Sequence, residues 1–107
     1  MTGQDNAPRV SVVMAAYNAE RFVAEAIASI LDQSMRDLEL VIVDDGSTDG
    51  TPAILAALVD ERLRIATLPA NAGIATARNL GMAMARGAYV AVHDADAVNA
   101  TYDDLVA

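Results

Sequence analysis

Cysteine, lysine and tryptophan are absent from this 107-residue chain, and aromatic side chains make up only 4% of it. Without cysteine there is no disulfide framework and no thiolate metal site. Without lysine, neither a P-loop nor a Schiff-base mechanism is available. All seven basic residues are arginine, and the net charge is −8. That balance argues against a nucleic-acid backbone or an anionic membrane as partner. No apolar run reaches the roughly 20 residues of a membrane span, and the N-terminus lacks the basic and apolar regions of a signal peptide. Met1 to Pro8 reads as a polar leader, and the expected compartment is the cytoplasm.

What remains is rich in aliphatic side chains. Hydrophobic residues are 54% of the chain, so Val, Ile, Leu, Ala and Met must build the core. A chain of this length buries roughly 65% of its unfolded surface, which suffices for one domain, expected over residues 9–107.

The densest signal is Leu40-Val41-Ile42-Val43 running into Asp44-Asp45 and then Gly46-Ser47-Thr48-Asp49-Gly50-Thr51. Four apolar residues, three of them β-branched, have the length and composition of a strand buried on both faces. The paired acids then stand at its carboxyl end, where open α/β sheets bind their ligands. Three other segments follow the same plan. Val10–Ala15 is a strand ending at Tyr17-Asn18, with Asn18 expected to cap the next helix. Phe22, Val23, Ala26, Ile27, Ile30 and Leu31 give that helix one apolar face. The second strand spans Leu38–Val43, and Thr51-Pro52 reads as N-cap plus N1 proline of a second helix with Ile54, Leu55, Leu58 and Val59 inward. Arg64–Leu68 is a third strand. A third helix follows over Ile74–Arg86, packed through Ala77, Leu80, Gly81 and Met84, with Gly87 as its C′ residue. Ala88–Val92 is a fourth strand, leading into His93-Asp94-Ala95-Asp96.

This β-α-β-α-β-α-β order predicts a Rossmann-like α/β fold with a parallel sheet, right-handed crossovers and helices on both faces. A reversal of direction after the third helix would give strand order 3-2-1-4 and a crevice between strands 1 and 4. Tyr17, Asn18, Asp44, Asp45, Asn71, Asp94 and Asp96 then fall along one edge. Asp94 and Asp96 together suit a divalent cation, a hard ion that takes oxygen ligands and is usually shared with phosphates. Arg78, one turn into the third helix, is placed to meet an anion, and Tyr17 to stack on a planar base. His93 is read as a hydrogen-bonded strand-end residue, not a ligand. Asp45 to Gly50 imitates the opening of a calcium loop, but Ala56 stands where the bidentate Glu should be, Pro52 falls inside the loop, and a strand precedes it.

The segments Val10–Asn18, Glu39–Thr51, Asn71–Gly81 and Arg86–Asp96 resemble, in order and spacing, the family 2 inverting glycosyltransferases of GT-A fold. The resemblance covers about residues 9 to 97. It implies transfer of a sugar from a nucleotide-diphosphate donor, commonly UDP-linked, to a sugar, lipid or other acceptor. It also implies roles: Tyr17 near the base, Asp45 bonded to the base with Asp44 supporting it, and Arg78 near the diphosphate or ribose. Asp94 would contact the ribose, and Asp96 would reach the diphosphate through Mn²⁺ or Mg²⁺. Two residues depart from the pattern: Ala15 replaces a proline, and Ala97 replaces an acid after the D-A-D. The general base and acceptor half lie downstream in the family, and Asp103 and Asp104 do not map onto that base. The expectation is therefore a nucleotide-sugar-binding domain truncated after its D-x-D, with no turnover of its own and with exposed apolar surface that drives self-association. Two other readings of the same sequence are a receiver-like phosphoacceptor domain, opposed by the missing lysine, and a non-catalytic α/β interaction domain.

Overall fold

The computed structural model describes residues 7–32 and 36–93. Four parallel strands and three helices alternate along the chain: β1 (Val10–Ala16), α1 (Val23–Leu31), β2 (Leu38–Asp44), α2 (Thr51–Ala56), β3 (Leu63–Thr67), α3 (Ile74–Met84) and β4 (Tyr89–Val92). The sheet order is β3-β2-β1-β4, as the sequence predicts. β1 pairs with β2 from Val10↔Leu38 to Ala16↔Asp44, and with β4 from Val10↔Tyr89 to Val92↔Val13.

The aliphatic runs explain this centre. β1 and β2 are buried along their whole length, because each is covered on both faces and flanked on both edges. On one face, Val12, Met14, Leu40 and Ile42 pack against Val23, Ala26, Ile27 and Ile30 of α1 and Leu55 of α2. On the other, Ala15 and Val43 meet Ala77 of α3, with Leu80 alongside. Side chains alternate across a strand, so one apolar run serves both layers.

Several element ends differ from the sequence expectation. Asn18 does not cap α1: the helix starts at Val23, with Phe22 at the cap position and no side-chain cap bond. Asn18 instead adopts a left-handed φ of 49°, and its amide is engaged elsewhere. Phe22 is 42% exposed with Arg21 over its ring, and Val59, beyond the end of α2, is 97% exposed; neither joins the core. Thr51 is the first residue of α2, with Gly50 at the cap. Gly87 is not a left-handed C′ residue. α3 ends at Met84 and Ala85 is already extended. Gly87 is required for another reason: a Cβ there would lie 2.7 Å from Ser11 N and from Val10 C.

At the amino ends of the strands, a buried carboxylate joins four segments. Glu39, only 1% exposed, accepts from Ser11 Oγ at 2.5 Å, Arg86 N at 2.6 Å, and Arg64 Nη1 and Arg86 Nε at 3.1 Å. Arg64 also donates to Met84 O and Gly87 N to Ser11 Oγ, so the α3–β4 connection is tied to the first two strands.

Candidate functional site

All four strands are parallel, so their carboxyl ends share one edge, and the connections that leave them build the crevice. The β2–α2 turn is central to it. Gly46 takes φ +69°, and a Cβ there would sit 2.3 Å from Ala70 C and 2.4 Å from Asn71 N. Only glycine allows the turn and the β3–α3 connection to touch backbone to backbone.

Asp44 and Asp45, adjacent in sequence, point to opposite faces at the end of β2 and do different work. Asp44 is fully buried and accepts Ser47 N at 3.0 Å with Oδ1, closing the turn; its Oδ2 has no hydrogen-bond partner among the described residues. Asp45, 2% exposed, accepts Ala72 N at 2.8 Å with Oδ1, and Asn71 Nδ2 at 3.0 Å and Gly73 N at 3.1 Å with Oδ2. It thereby pins the connection that starts α3.

The rest of the Gly46–Thr51 block clasps the β1–α1 loop. Asn18 N donates to Ser47 Oγ at 2.9 Å, and Thr48 N returns to Asn18 Oδ1 at 2.8 Å. Ala19 N donates to Thr51 Oγ1, Glu20 N to Asp49 Oδ2, and Gly50 N to Glu20 Oε1. Desolvation would raise the Asp49 carboxyl; the donors from Thr51 and Glu20 outweigh it and hold the group below its ordinary value. Short polar side chains that bond nearby backbone are what such loops are made from.

The two clasped loops leave a slot of about 50 Å³ lined by Ala15, Ala16, Tyr17, Asp45 and Ile74. Tyr17 and Ile74 are 49% and 52% exposed, two apolar surfaces beside a carboxylate. Such a slot suits a flat, partly apolar ring with a hydrogen-bond donor on its edge. Arg78 is partly buried on α3, one turn past Ile74. His93 is buried at the end of β4, and its N–H donates to Val13 O at 2.9 Å.

Of the sequence-predicted residues, Tyr17 and Asp45 thus meet at one slot, Asp44 lies under the adjoining turn, and Arg78 stands on the helix that Asp45 anchors. Asp94 and Asp96 lie outside the described residues, and among those described no three acidic, His or Cys side chains group to hold a metal. Ile74 was read only as a helix start. Of the clasp residues, Asn18 and Thr51 were expected as helix caps and Ser47, Thr48 and Asp49 only as part of a turn; the bonds between the two loops were not foreseen.

Larger concavities exist at the opposite edge, including one of about 680 Å³ along Arg36, Val59, Asp60, Glu61 and Arg62. Its chemistry is already spent. Arg62 pairs with Asp60 at 3.1 Å, each raising the charge stability of the other, and the cleft offers no ring-stacking surface at a strand carboxyl end. The small slot is the better candidate despite its size.

Known proteins share this fold. Residues 11–104 match the model of glycosyl transferase family 2. The chain is 46% identical over 92 residues to the succinoglycan biosynthesis protein ExoO of Rhizobium meliloti, covering 86% of this chain and 26% of that protein. It is 45% identical over 91 residues to the putative teichuronic acid biosynthesis glycosyltransferase TuaG of Bacillus subtilis, covering 83% of this chain and 36% of that one. Among solved structures, S. aureus TarS 1–349 in complex with UDP-GlcNAc superposes with a TM-score of 0.77 at 32% identity, over 82% of this chain and 26% of that one. The mannosyltransferase PcManGT of Pyrobaculum calidifontis, in complex with GDP-Man and Mn²⁺, does so with 0.76 at 35% identity, over 84% and 28%. The chain thus spans about a quarter to a third of the length of these relatives. With the match running from β1 through both clasped loops and past β4, the chain belongs to glycosyl transferase family 2.

Proposed function

We propose that the chain is the nucleotide-sugar-binding portion of an inverting glycosyltransferase, taking a UDP-linked donor with a divalent cation. The observation that carries the reading is the slot at the carboxyl ends of β1 and β2, where Tyr17 and Ile74 flank the Asp45 carboxylate. Tyr17 and Ile74 would hold the base, Asp45 would accept a base N–H, and Arg78 would approach the diphosphate. TarS with UDP-GlcNAc and PcManGT with GDP-Man and Mn²⁺ support both the donor class and the metal.

Asp94 and Asp96, which follow His93 in sequence, are the proposed contacts to ribose and metal. Two carboxylates suit a hard cation. When bound, Mn²⁺ or Mg²⁺ would neutralise the diphosphate, which could not otherwise approach so acidic an edge.

In inverting transfer the acceptor hydroxyl attacks the anomeric carbon, the bond to the diphosphate breaks, and a base takes the hydroxyl proton. No residue of this chain is assigned that base. General-base assistance is worth about 10²–10⁴-fold, so the chain alone binds donor without useful transfer. Calorimetry of UDP with Mn²⁺ and then with chelator, on wild type and Asp96→Ala, tests this. Asp96→Ala should weaken binding by about 1.5–3 kcal/mol, the scale of a charged hydrogen bond, and only with metal present. Equal affinity in all four conditions would sink the metal assignment, and robust sugar transfer by the chain would sink the missing base.

Two finer points belong to the same proposal. A cytoplasmic setting is part of the proposal; no helix among the described residues is long and apolar enough to cross a membrane. β4 forms one edge of the described sheet, with Tyr89, Val90 and Val92 exposed, which supports self-association through that edge. Light scattering giving a clean monomer at high micromolar concentration would refute it.

A further inference from the structure

An ionised carboxylate offers about four acceptor positions, two on each oxygen. On Asp45, Oδ2 is filled by Asn71 Nδ2 at 3.0 Å and Gly73 N at 3.1 Å, while Oδ1 holds only Ala72 N at 2.8 Å. Among the described residues one acceptor position is left, and it is on Oδ1. Two of the three donors are backbone groups, one on each oxygen. The third is a side chain whose only described contacts are with Asp45, since Asn71 Nδ2 also reaches Asp45 O at 3.3 Å. Asn71 therefore grips the same residue at both its carboxylate and its carbonyl, and it fills the second acceptor position on Oδ2 that the Gly73 amide leaves. Asp45 lines the slot beside Tyr17 and Ile74, so the leftover acceptor is the group that an incoming base edge must satisfy.

We infer that Asn71 is a positioning residue that sets base selectivity, by holding the Asp45 carboxylate so that a single fixed acceptor faces the base. This deepens the proposed function and rests on its reading of Asp45. A fixed single acceptor favours a base whose ring nitrogen carries a hydrogen, as N3 of uracil does. Cytosine has the same size but presents a bare lone pair at N3, which would face the carboxylate unpaired. Without the Asn71 side chain, Oδ2 would offer a second acceptor that could take the exocyclic amino group of cytosine, and the distinction would fade.

The test is the ratio of UDP to CDP affinity, measured by calorimetry on wild type, Asn71→Ala and Asn71→Asp, with thermal melts on each. Asn71→Asp keeps the size of the side chain but replaces its donor with an acceptor against Asp45. Wild type should prefer UDP by tenfold or more, the value of one hydrogen bond to a charged group. Both variants should bring that preference to within about threefold while remaining folded. If Asn71 merely supports the loop, both nucleotides weaken together and the ratio stands, which overturns the inference and leaves the proposed function intact. If wild type binds neither nucleotide, the proposed function falls and the inference with it.

Discussion

Gly46→Ala should cost about 2–5 kcal/mol of stability and at least tenfold in UDP affinity. Two effects add. A non-glycine residue held in the left-handed region costs about 1–2 kcal/mol, and Gly46 sits at φ +69°. The new methyl would also lie 2.3 Å from Ala70 C and 2.4 Å from Asn71 N. Both are backbone atoms, so no side-chain rotation relieves the overlap, and forced overpacking costs about 1–3 kcal/mol. The relief available is for the 70–73 connection to move away from the turn. That motion breaks the three bonds to the Asp45 carboxylate and shifts Ile74, so the slot opens along with the loss of stability. A domain of this size moves in melting temperature by about 4–8 °C per kcal/mol, so a shift of about 10 °C or more should appear in a thermal melt. A variant with wild-type melting temperature and wild-type UDP affinity would show that the two connections are not in contact.

Glu39→Ala should destabilise the chain by about 2–4 kcal/mol without altering the slot, which lies at the other end of the strands. Removing one partner of a fully buried charge pair costs about 3–5 kcal/mol. The figure is lower here because the Arg64 and Arg86 side chains are 34% and 55% exposed and can turn to water. What cannot be recovered is the acceptor for buried Ser11 Oγ and for Arg86 N. The same group sets an acid limit. Burial alone would raise the Glu39 carboxyl; hydrogen bonds from Ser11, the Arg86 backbone, Arg64 and the Arg86 side chain outweigh it and hold the group below its ordinary 4.5. A depressed folded value means that the stabilisation is complete above about pH 4.5 and disappears as pH falls through the lower, folded value. Chemical denaturation of wild type should therefore weaken with acid over that window. Glu39→Gln, which cannot ionise, should show a shallower slope there; an identical slope would remove Glu39 from the acid response.

The strands and their order were legible because burial on two faces leaves an unmistakable mark: runs such as Val41-Ile42-Val43 between polar turns. The acids at the strand ends were legible because an apolar run such as Val41-Ile42-Val43 offers a carboxylate no partner, so Asp44 and Asp45 mark where the run stops. Element ends were harder, for a reason visible at Asn18. Its side chain can cap a helix locally, but Thr48, some thirty residues away in sequence, claims the Oδ1 first through its N–H and hydroxyl. Gly87 misled in the same way, its requirement coming from a close approach to β1 and not from the helix before it. Glu39 passed as an ordinary strand residue, yet a pattern was present. Ser11 and Glu39 are register partners, and Arg64 pairs with Val41, two residues further along the same face of β2 as Glu39. The division of labour between Asp44 and Asp45 follows from strand alternation, but which of the two faces the slot depends on where α3 packs.

The central claim is that the nucleotide sits at the carboxyl edge of the sheet, in a slot of about 50 Å³, and not in the larger concavities at the opposite edge. Backbone amide NMR of the uniformly labelled chain during a UDP titration with Mg²⁺ tests this most directly. The account predicts saturable shifts concentrated at Ala16, Tyr17, Asp45, Ala72, Gly73 and Ile74. Shifts concentrated at Arg36, Glu61 and Arg62, or no saturable shift at all, would contradict it.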